Sequence, residues 1–186
     1  MKILVIFASH RIGGKNAEIE KAMRQYEDIF NLDFLHLANN KVESCMSCHS
    51  CANLGHCVLP LTGDDKFQEI FDKMQTTDVI FIISPVYASI PSRLTALFER
   101  LTSVLFDTGK IDTDQNPLLN KKTAIFSYCS CGVCDDSSIK LIFDKFVMKN
   151  YRFDYTTYNY LNSISSPQER YKNIIDYVID TLKSLV

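Results

Sequence analysis

The sequence lacks several features that would set it apart from ordinary globular proteins. Its 186 residues include no tryptophan, only 6 glycines and only 5 prolines, which excludes collagen-like repeats and glycine- or proline-rich linkers. The longest apolar runs, at 3–8 and 79–83, fall far short of the roughly 20 residues of a membrane-spanning helix. The first run is also too short for a secretion signal, so we expect a cytoplasmic protein with no membrane partner.

An excess of charge is absent as well. The 20 Lys and Arg residues are scattered and balanced by 22 Asp and Glu residues, for a net charge of -2. The basic residues are not gathered in one block that could bind a polyanion, so we expect no nucleic-acid partner. The chain is 46% hydrophobic and contains 12 Phe and 9 Tyr, which is enough to build the core of one domain over 1–186.

Apolar runs rich in β-branched residues alternate with segments whose apolar residues follow helical spacing. The runs predict strands at 2–7, 32–37, 79–84, 123–128 and 151–161, the last with the alternation of an edge strand. Helices are predicted from near 16 and around 67–74, 94–101, 139–146 and 174–182. Five strands alternating with five helices predict a doubly wound, five-stranded parallel α/β sheet in three layers, because such crossovers are right-handed.

Two loops are unusually long for a compact domain, at about 38–63 and 106–122, and loops of this length usually have a function. Ligands of open α/β sheets bind beyond the carboxyl ends of the strands, where the strand order reverses. Both loops are expected to reach that edge.

The segment after the first strand, Ser-His-Arg-Ile-Gly-Gly-Lys-Asn at 9–16, is suited to a terminal phosphate. A helix N-terminus attracts an anion, Gly14 allows close approach, and Ser9, Arg11 and Asn16 offer polar groups. The motifs of dinucleotide and nucleoside-triphosphate loops are missing. The alternative is an ordinary turn in which Asn16 or Ser9 caps the helix.

The third strand ends in Ser-Pro-Val-Tyr-Ala-Ser-Ile-Pro at 84–91, a turn stiffened by two prolines. Its main-chain groups and small side chains, including Ser89, are suited to a flat heterocycle with Tyr87 nearby. In the alternative, Pro91 simply starts the next helix and Tyr87 is a packing residue.

Together these segments resemble the flavodoxin-fold NADPH-dependent FMN reductase family, over nearly the whole chain. The resemblance implies the strand order 2-1-3-4-5, bound FMN, NAD(P)H as donor, a small-molecule or protein electron acceptor, and a homodimer or homotetramer. It assigns the FMN phosphate to Ser9, Arg11 and Asn16. It assigns the isoalloxazine ring to Pro85, Val86 and Tyr87. Ala17 stands where relatives often carry Ser or Thr, so one phosphate donor is missing there.

Four of the seven cysteines lie within one loop, spaced C-x2-C-x2-C-x5-C: Cys45, Cys48, Cys51 and Cys57. This close spacing suits a 4Fe-4S cluster better than zinc. Zinc is one alternative, because His49 and His56 could serve as ligands, and unligated thiols are another. Disulfides are not expected in a reducing compartment. The spacing is similar to the iron-sulfur flavoprotein branch of the family, in which an acidic pair follows, here Asp64-Asp65. Asp65 with Gln68 also predicts a helix cap.

The other three cysteines, Cys129, Cys131 and Cys134, follow the fourth strand and are expected to face the cofactor pocket. Three roles are open for them: a redox-active thiol group, additional metal ligands, or reduced thiols without a ligand. His10 and Arg93 are weaker candidates, for the cofactor and for a nicotinamide phosphate respectively, with exposed positions as the alternative. The leading hypothesis is an FMN-dependent NAD(P)H oxidoreductase. The alternatives are a flavodoxin-like electron carrier and a thiol or metal sensor.

Overall fold

A computed structural model describes residues 1–59, 63–86, 90–111, 113–118, 121–128 and 167–186, with the side chains of the last segment described from residue 174. Within these residues, four strands form one parallel sheet in the order β2-β1-β3-β4. They are β1 (Lys2–Phe7), β2 (Asn31–His36), β3 (Val79–Pro85) and β4 (Lys122–Tyr128). Every residue of β3 is buried, which explains its uninterrupted apolar run.

The described helices follow the apolar stripes seen in the sequence. They are α1 (Lys15–Arg24), α2 (Ser50–Leu54), α3 (Phe67–Gln75), α4 (Ser92–Asp107) and α5 (Pro167–Lys183). Four of them match predicted helices, and α4 and α5 extend beyond the stripes at both ends. The short helix α2 lies inside the cysteine loop and was not predicted.

Alternate residues of the strands face opposite sides of the sheet, as their period of two requires. Leu4 and Ile6 belong to a cluster of buried residues that includes α3 and α4. Ile3 and Val5 belong to a second cluster that includes α1 and α5. Each face of the sheet therefore carries its own apolar cluster.

The parallel α/β sheet and the order of its first four strands are confirmed. The predicted strand at 151–161 and the predicted helix at 139–146 lie outside the described residues. Five strands in the order 2-1-3-4-5, in three layers, therefore stay a prediction. Within the described part of the chain, no helix is long and apolar enough to cross a membrane.

Candidate functional site

The carboxyl ends of β1, β3 and β4 lie side by side at one edge of the sheet. Phe7 is paired with Ile83, and Pro85 is paired with Tyr128. The pairing continues past the strands, because the N–H of Val86 donates to the carbonyl of Tyr128 at 2.7 Å. The loop after β1, the end of β3 and the end of β4 therefore meet at this edge, where a ligand of such a sheet is expected.

The loop after β1 leads into α1 through a backbone conformation that favours glycine. Gly14 has φ 73° and ψ -143°, and it stands at the N-cap of α1 without a side-chain hydrogen bond to the helix. The alternative in which Asn16 or Ser9 caps the helix is therefore wrong. A Cβ built on Gly13 or Gly14 meets no described residue within 4 Å, so the described residues leave this end of the helix open. An uncapped helix N-terminus beside open space suits an anion.

Asn16 is the polar residue of this loop that lies deepest in the protein. Its exposed fraction is 0%, and its Oδ1 accepts a hydrogen bond from the hydroxyl of Tyr128 at 2.8 Å. Its Nδ2 finds no hydrogen-bond partner within the described residues. A buried donor without a partner costs about 1–3 kcal/mol, so this amide is a strong candidate for contact with a ligand.

The other predicted residues of the phosphate loop have different environments. Ser9 is buried, and its Oγ accepts a hydrogen bond from the N–H of Arg11 at 3.0 Å. Arg11 and Ala17 are exposed. Lys15, which the sequence analysis did not single out, is buried and forms an ion pair with Glu18. Two cationic side chains therefore belong to this loop.

The predicted ring platform is described only in part. Pro85 and Val86 are buried, whereas Tyr87 and Ser89 lie outside the described residues. Cys129 also lies outside them, one position beyond the end of β4. Tyr128 itself was missed by the sequence analysis, although its place at the end of β4 put it at the same edge as Asn16.

The two weaker candidates link neighbouring segments. His10 Nε2 lies 3.3 Å from Ser92 Oγ, next to the start of α4. Arg93 is half-buried, and its Nη1 donates to the carbonyls of Leu37 and Ala38 just beyond β2. Arg93 therefore anchors the start of the long loop to α4 rather than lying on an exposed helix face.

The cysteine loop has a closed neck. The N–H of Lys66 donates to the carbonyl of Lys41 at 2.8 Å, and the N–H of Glu43 donates to Asp65 Oδ2 at 2.7 Å. These contacts bring the two ends of the loop together.

From this neck the loop runs along α4. The N–H of Cys45 donates to Glu99 Oε2 at 3.2 Å, and Cys51 Sγ donates to Asp107 Oδ2 at 3.1 Å. At 1.5 Å per residue, Glu99 and Asp107 lie about 10 and about 22 Å along the helix from Ser92. The loop therefore starts at the carboxyl edge of the sheet, but its thiols lie away from it.

All four thiols of this loop line one cavity of about 200 Å³, together with residues of α4. Ser47 and His49 have φ values of 50° and 53°, which turn the backbone between the cysteines. The N–H of Ser47 donates to Cys45 Sγ at 3.4 Å. Four thiols around one cavity form a donor set that fits an iron-sulfur cluster. Among the described residues, no three His, Cys, Asp or Glu side chains come close enough together to hold a single metal ion such as zinc, whereas a 4Fe-4S cluster takes one thiolate on each of its four irons.

The thiols of the cavity differ in their electrostatic environment. Burial, together with the hydrogen bond to Asp107, raises the pKa of Cys51 to about 11. Hydrogen bonds from Ser50, by contrast, lower the pKa of the exposed Cys48. Cys51 is therefore a neutral hydrogen-bond donor at neutral pH in this arrangement.

Arg100 is a residue of this region that the sequence analysis missed. Its exposed fraction is 0%, although it is charged. Its Nη1 donates to Asp65 Oδ2 at 2.6 Å, its Nη2 donates to Cys57 Sγ at 3.2 Å, and its guanidinium lies 4.1 Å from the centre of the Phe67 ring. Its place in the apolar stripe of α4, between Leu97 and Leu101, was the available signal that this arginine is buried.

Asp65 connects the neck of the loop to α3. Its Oδ1 accepts a hydrogen bond from the N–H of Phe67, the first residue of α3, at 2.9 Å, but the N-cap position itself is Lys66, which makes no side-chain cap. Gln68 does not complete a capping box, because its Nε2 donates to Asp72 instead. Burial alone raises the pKa of Asp65, but hydrogen bonds from Arg100 and from the N–H groups of Glu43 and Phe67 outweigh it, and the net pKa is lowered.

A family model described as NADPH-dependent FMN reductase matches residues 1–138. The iron-sulfur flavoprotein of Methanosarcina thermophila is 35% identical over 103 residues, which cover 54% of this chain and 52% of that protein. The chain thus spans about half the length of the curated relatives it matches.

Solved structures share the fold at low sequence identity. An NAD(P)H:quinone oxidoreductase from Methanothermobacter marburgensis has a TM-score of 0.63 at 12% identity, covering 95% of this chain and 92% of that one. The general stress protein 14 of Treponema denticola, solved in complex with FMN, has a TM-score of 0.59 at 18% identity and covers 100% of both chains.

Proposed function

Because the chain belongs to the NADPH-dependent FMN reductase family, a family of oxidoreductases, we propose that it is an FMN-dependent NAD(P)H oxidoreductase whose acceptor is a quinone, a flavin or an iron-sulfur centre. FMN would supply the redox chemistry by accepting a hydride and releasing single electrons. The protein then has to bind the cofactor, orient it and keep water away from it.

The observation that carries this proposal is the buried Nδ2 of Asn16, which has no hydrogen-bond partner among the described residues, beside the start of α1 at Gly14. In the proposed site Asn16, Ser9, Gly14 and the exposed Arg11 hold the phosphate. The hydroxyl of Tyr128 fixes the amide of Asn16, because it occupies Oδ1 and leaves Nδ2 for the ligand. The proposed contacts to the ring come from residues at the end of β3 and after β4: Pro85, Val86, Tyr87, Ser89 and Cys129.

The test is FMN binding followed by turnover. Arg11→Ala should weaken FMN retention through loss of the guanidinium donors. The matched control Arg24→Ala should not, because Arg24 is the last residue of α1 and pairs with Glu20 and Glu27. Oxidation of NADPH or NADH with a quinone present supports the reductase. Bound FMN without turnover favours an electron carrier, and a protein that stays colourless with excess FMN refutes the proposal.

We also propose that Cys45, Cys48, Cys51 and Cys57 hold a 4Fe-4S cluster. The shared cavity and the N–H donors to sulfur support it, as do the three matched relatives whose names include iron-sulfur flavoprotein. Anaerobic purification with flavin, iron, sulfide and zinc analysis of one sample tests it. Zinc without sulfide favours the zinc alternative, and no metal at all leaves reduced thiols.

The remaining parts of the proposal concern the whole molecule. We expect a five-stranded sheet in the order 2-1-3-4-5, a cytoplasmic location and a homodimer or homotetramer. Size-exclusion chromatography with light scattering measures the last of these.

A further inference from the structure

The neck of the cysteine loop contains a buried cation that makes a hydrogen bond to sulfur. Arg100 is completely buried, and its two Nη atoms have different partners. Nη1 donates to Asp65 and to the carbonyl of Glu43, while Nη2 donates to Cys57 Sγ at 3.2 Å. The Phe67 ring under the guanidinium, 4.1 Å from centre to carbon, fixes its plane. The donor aimed at Cys57 is therefore held in place from two sides.

We propose that Arg100 is a positioning residue that, through its hydrogen bond to Cys57, raises the reduction potential of the cluster in the cysteine loop. This inference rests on the proposed function, because it requires that loop to hold a cluster. Asp65 acts on the same potential with the opposite sign, since it places a carboxylate beside the guanidinium.

The physical reason is the change of charge on reduction. One electron enters, no proton is needed, and the cluster with its four thiolates becomes more negative by one charge. A buried guanidinium stabilises the more negative state, and its N–H donor withdraws electron density from the sulfur, so both effects raise the potential. Asp65, at 2.6 Å from Nη1, partly offsets the positive charge.

A purely structural ion pair is a weaker explanation of the contacts of Arg100. Its Nε is buried and finds no hydrogen-bond partner within the described residues, so the guanidinium is not fully satisfied. Burying such a pair costs desolvation energy, and apolar side chains of similar size often stabilise a fold as well or better. What an apolar side chain cannot supply is a donor to the sulfur.

The test compares the midpoint potential of the cluster in four proteins, reconstituted and titrated anaerobically with dithionite while the visible absorbance is followed. Arg100→Met should shift the potential to a more negative value, and Arg100→Lys, which keeps the charge but not the fork of donors, should shift it less. Asp65→Asn should shift it to a more positive value. Arg93→Met is the control, because Arg93 donates to the carbonyls of Leu37 and Ala38 at the start of the loop, and the potential of this variant should equal that of the wild type.

The opposite signs distinguish the proposal from a purely structural role. If both variants merely loosened the neck of the loop, the cluster potentials of Arg100→Met and Asp65→Asn would shift in the same direction. If Arg100→Met does not fold because it leaves Asp65 unpaired, the double variant Arg100→Met/Asp65→Asn should fold, and its potential should lie below that of Asp65→Asn alone. Equal potentials in those two proteins, or unshifted single variants, overturn the role of Arg100. A wild-type protein that retains no iron and sulfide overturns the cluster itself, and with it this role.

Discussion

Replacing Asn16 with Asp tests the proposed phosphate site with almost no change of shape. The variant keeps an oxygen that can accept the 2.8 Å hydrogen bond from Tyr128, but a second oxygen replaces Nδ2, which has no partner in the part of the chain that the structure describes. In the free protein this removes a buried donor without a partner. In the complex it removes a donor to the phosphate and places an acceptor next to an anion.

The expected loss follows from the strength of that bond. A hydrogen bond to a charged group contributes about 1.5–3 kcal/mol, and since each 1.4 kcal/mol is about tenfold, the Kd for FMN should rise about 10- to 150-fold. Ionisation of the new carboxyl group would add repulsion and increase the loss. Quenching of FMN fluorescence on titration with apoprotein measures the Kd.

The matched comparison is Tyr128→Phe, which keeps Nδ2 but no longer orients it. Its Kd should rise by less than that of Asn16→Asp, because the donor to the phosphate remains. The reasoning is refuted if Asn16→Asp binds FMN as tightly as the wild type, or if Tyr128→Phe is the weaker binder of the two.

Two further predictions concern stability. Gly14→Ala should lower the free energy of unfolding by about 1–3 kcal/mol, because its φ of 73° is unfavourable for alanine. Gly13→Ala is the control and should melt like the wild type, since neither glycine has a described residue within 4 Å of an added Cβ. Equal melting temperatures of the two variants would contradict this. The pKa of Asp65 is lower in the folded protein than its ordinary value of 3.8. Its ionised carboxylate therefore contributes to the stability of the fold above pH 3.8, and this contribution is lost as the pH falls through the pKa of the folded state. Urea unfolding should therefore show that Asp65→Asn is destabilised at neutral pH and approaches the wild type in acid, and a difference independent of pH would exclude this linkage.

The strands could be predicted closely because burial on both faces leaves a direct trace in the sequence. The apolar run predicted at 79–84 is β3, and each of its residues is buried. The stripe at 67–74 likewise predicts α3, whose Phe67, Ile70, Phe71 and Met74 are all buried. Patterns of this kind are local, so a single sequence is enough to read them.

The path of the cysteine loop could not be predicted in the same way. Its spacing indicated a shared ligand, and the four thiols do line one cavity. Its direction, however, is set by contacts such as Cys45 with Glu99 and Cys51 with Asp107, which join residues more than fifty positions apart. The contacts of Arg100 are also non-local, since Asp65 and Cys57 precede it by 35 and 43 positions.

The two candidate sites share one rigid element, and this has an energetic consequence. The start of α4 lies at the carboxyl edge near the phosphate loop, where Ser92 contacts His10, while Glu99 to Asp107 carry the cysteine loop about 10 to about 22 Å away. Changes at sites this far apart, with no shared partner, usually add independently. Asn16→Asp should therefore leave the iron and sulfide content unchanged, and Arg100→Met should leave the Kd for FMN unchanged. If either variant affected the other site, the buried face of α4 would have to transmit the change.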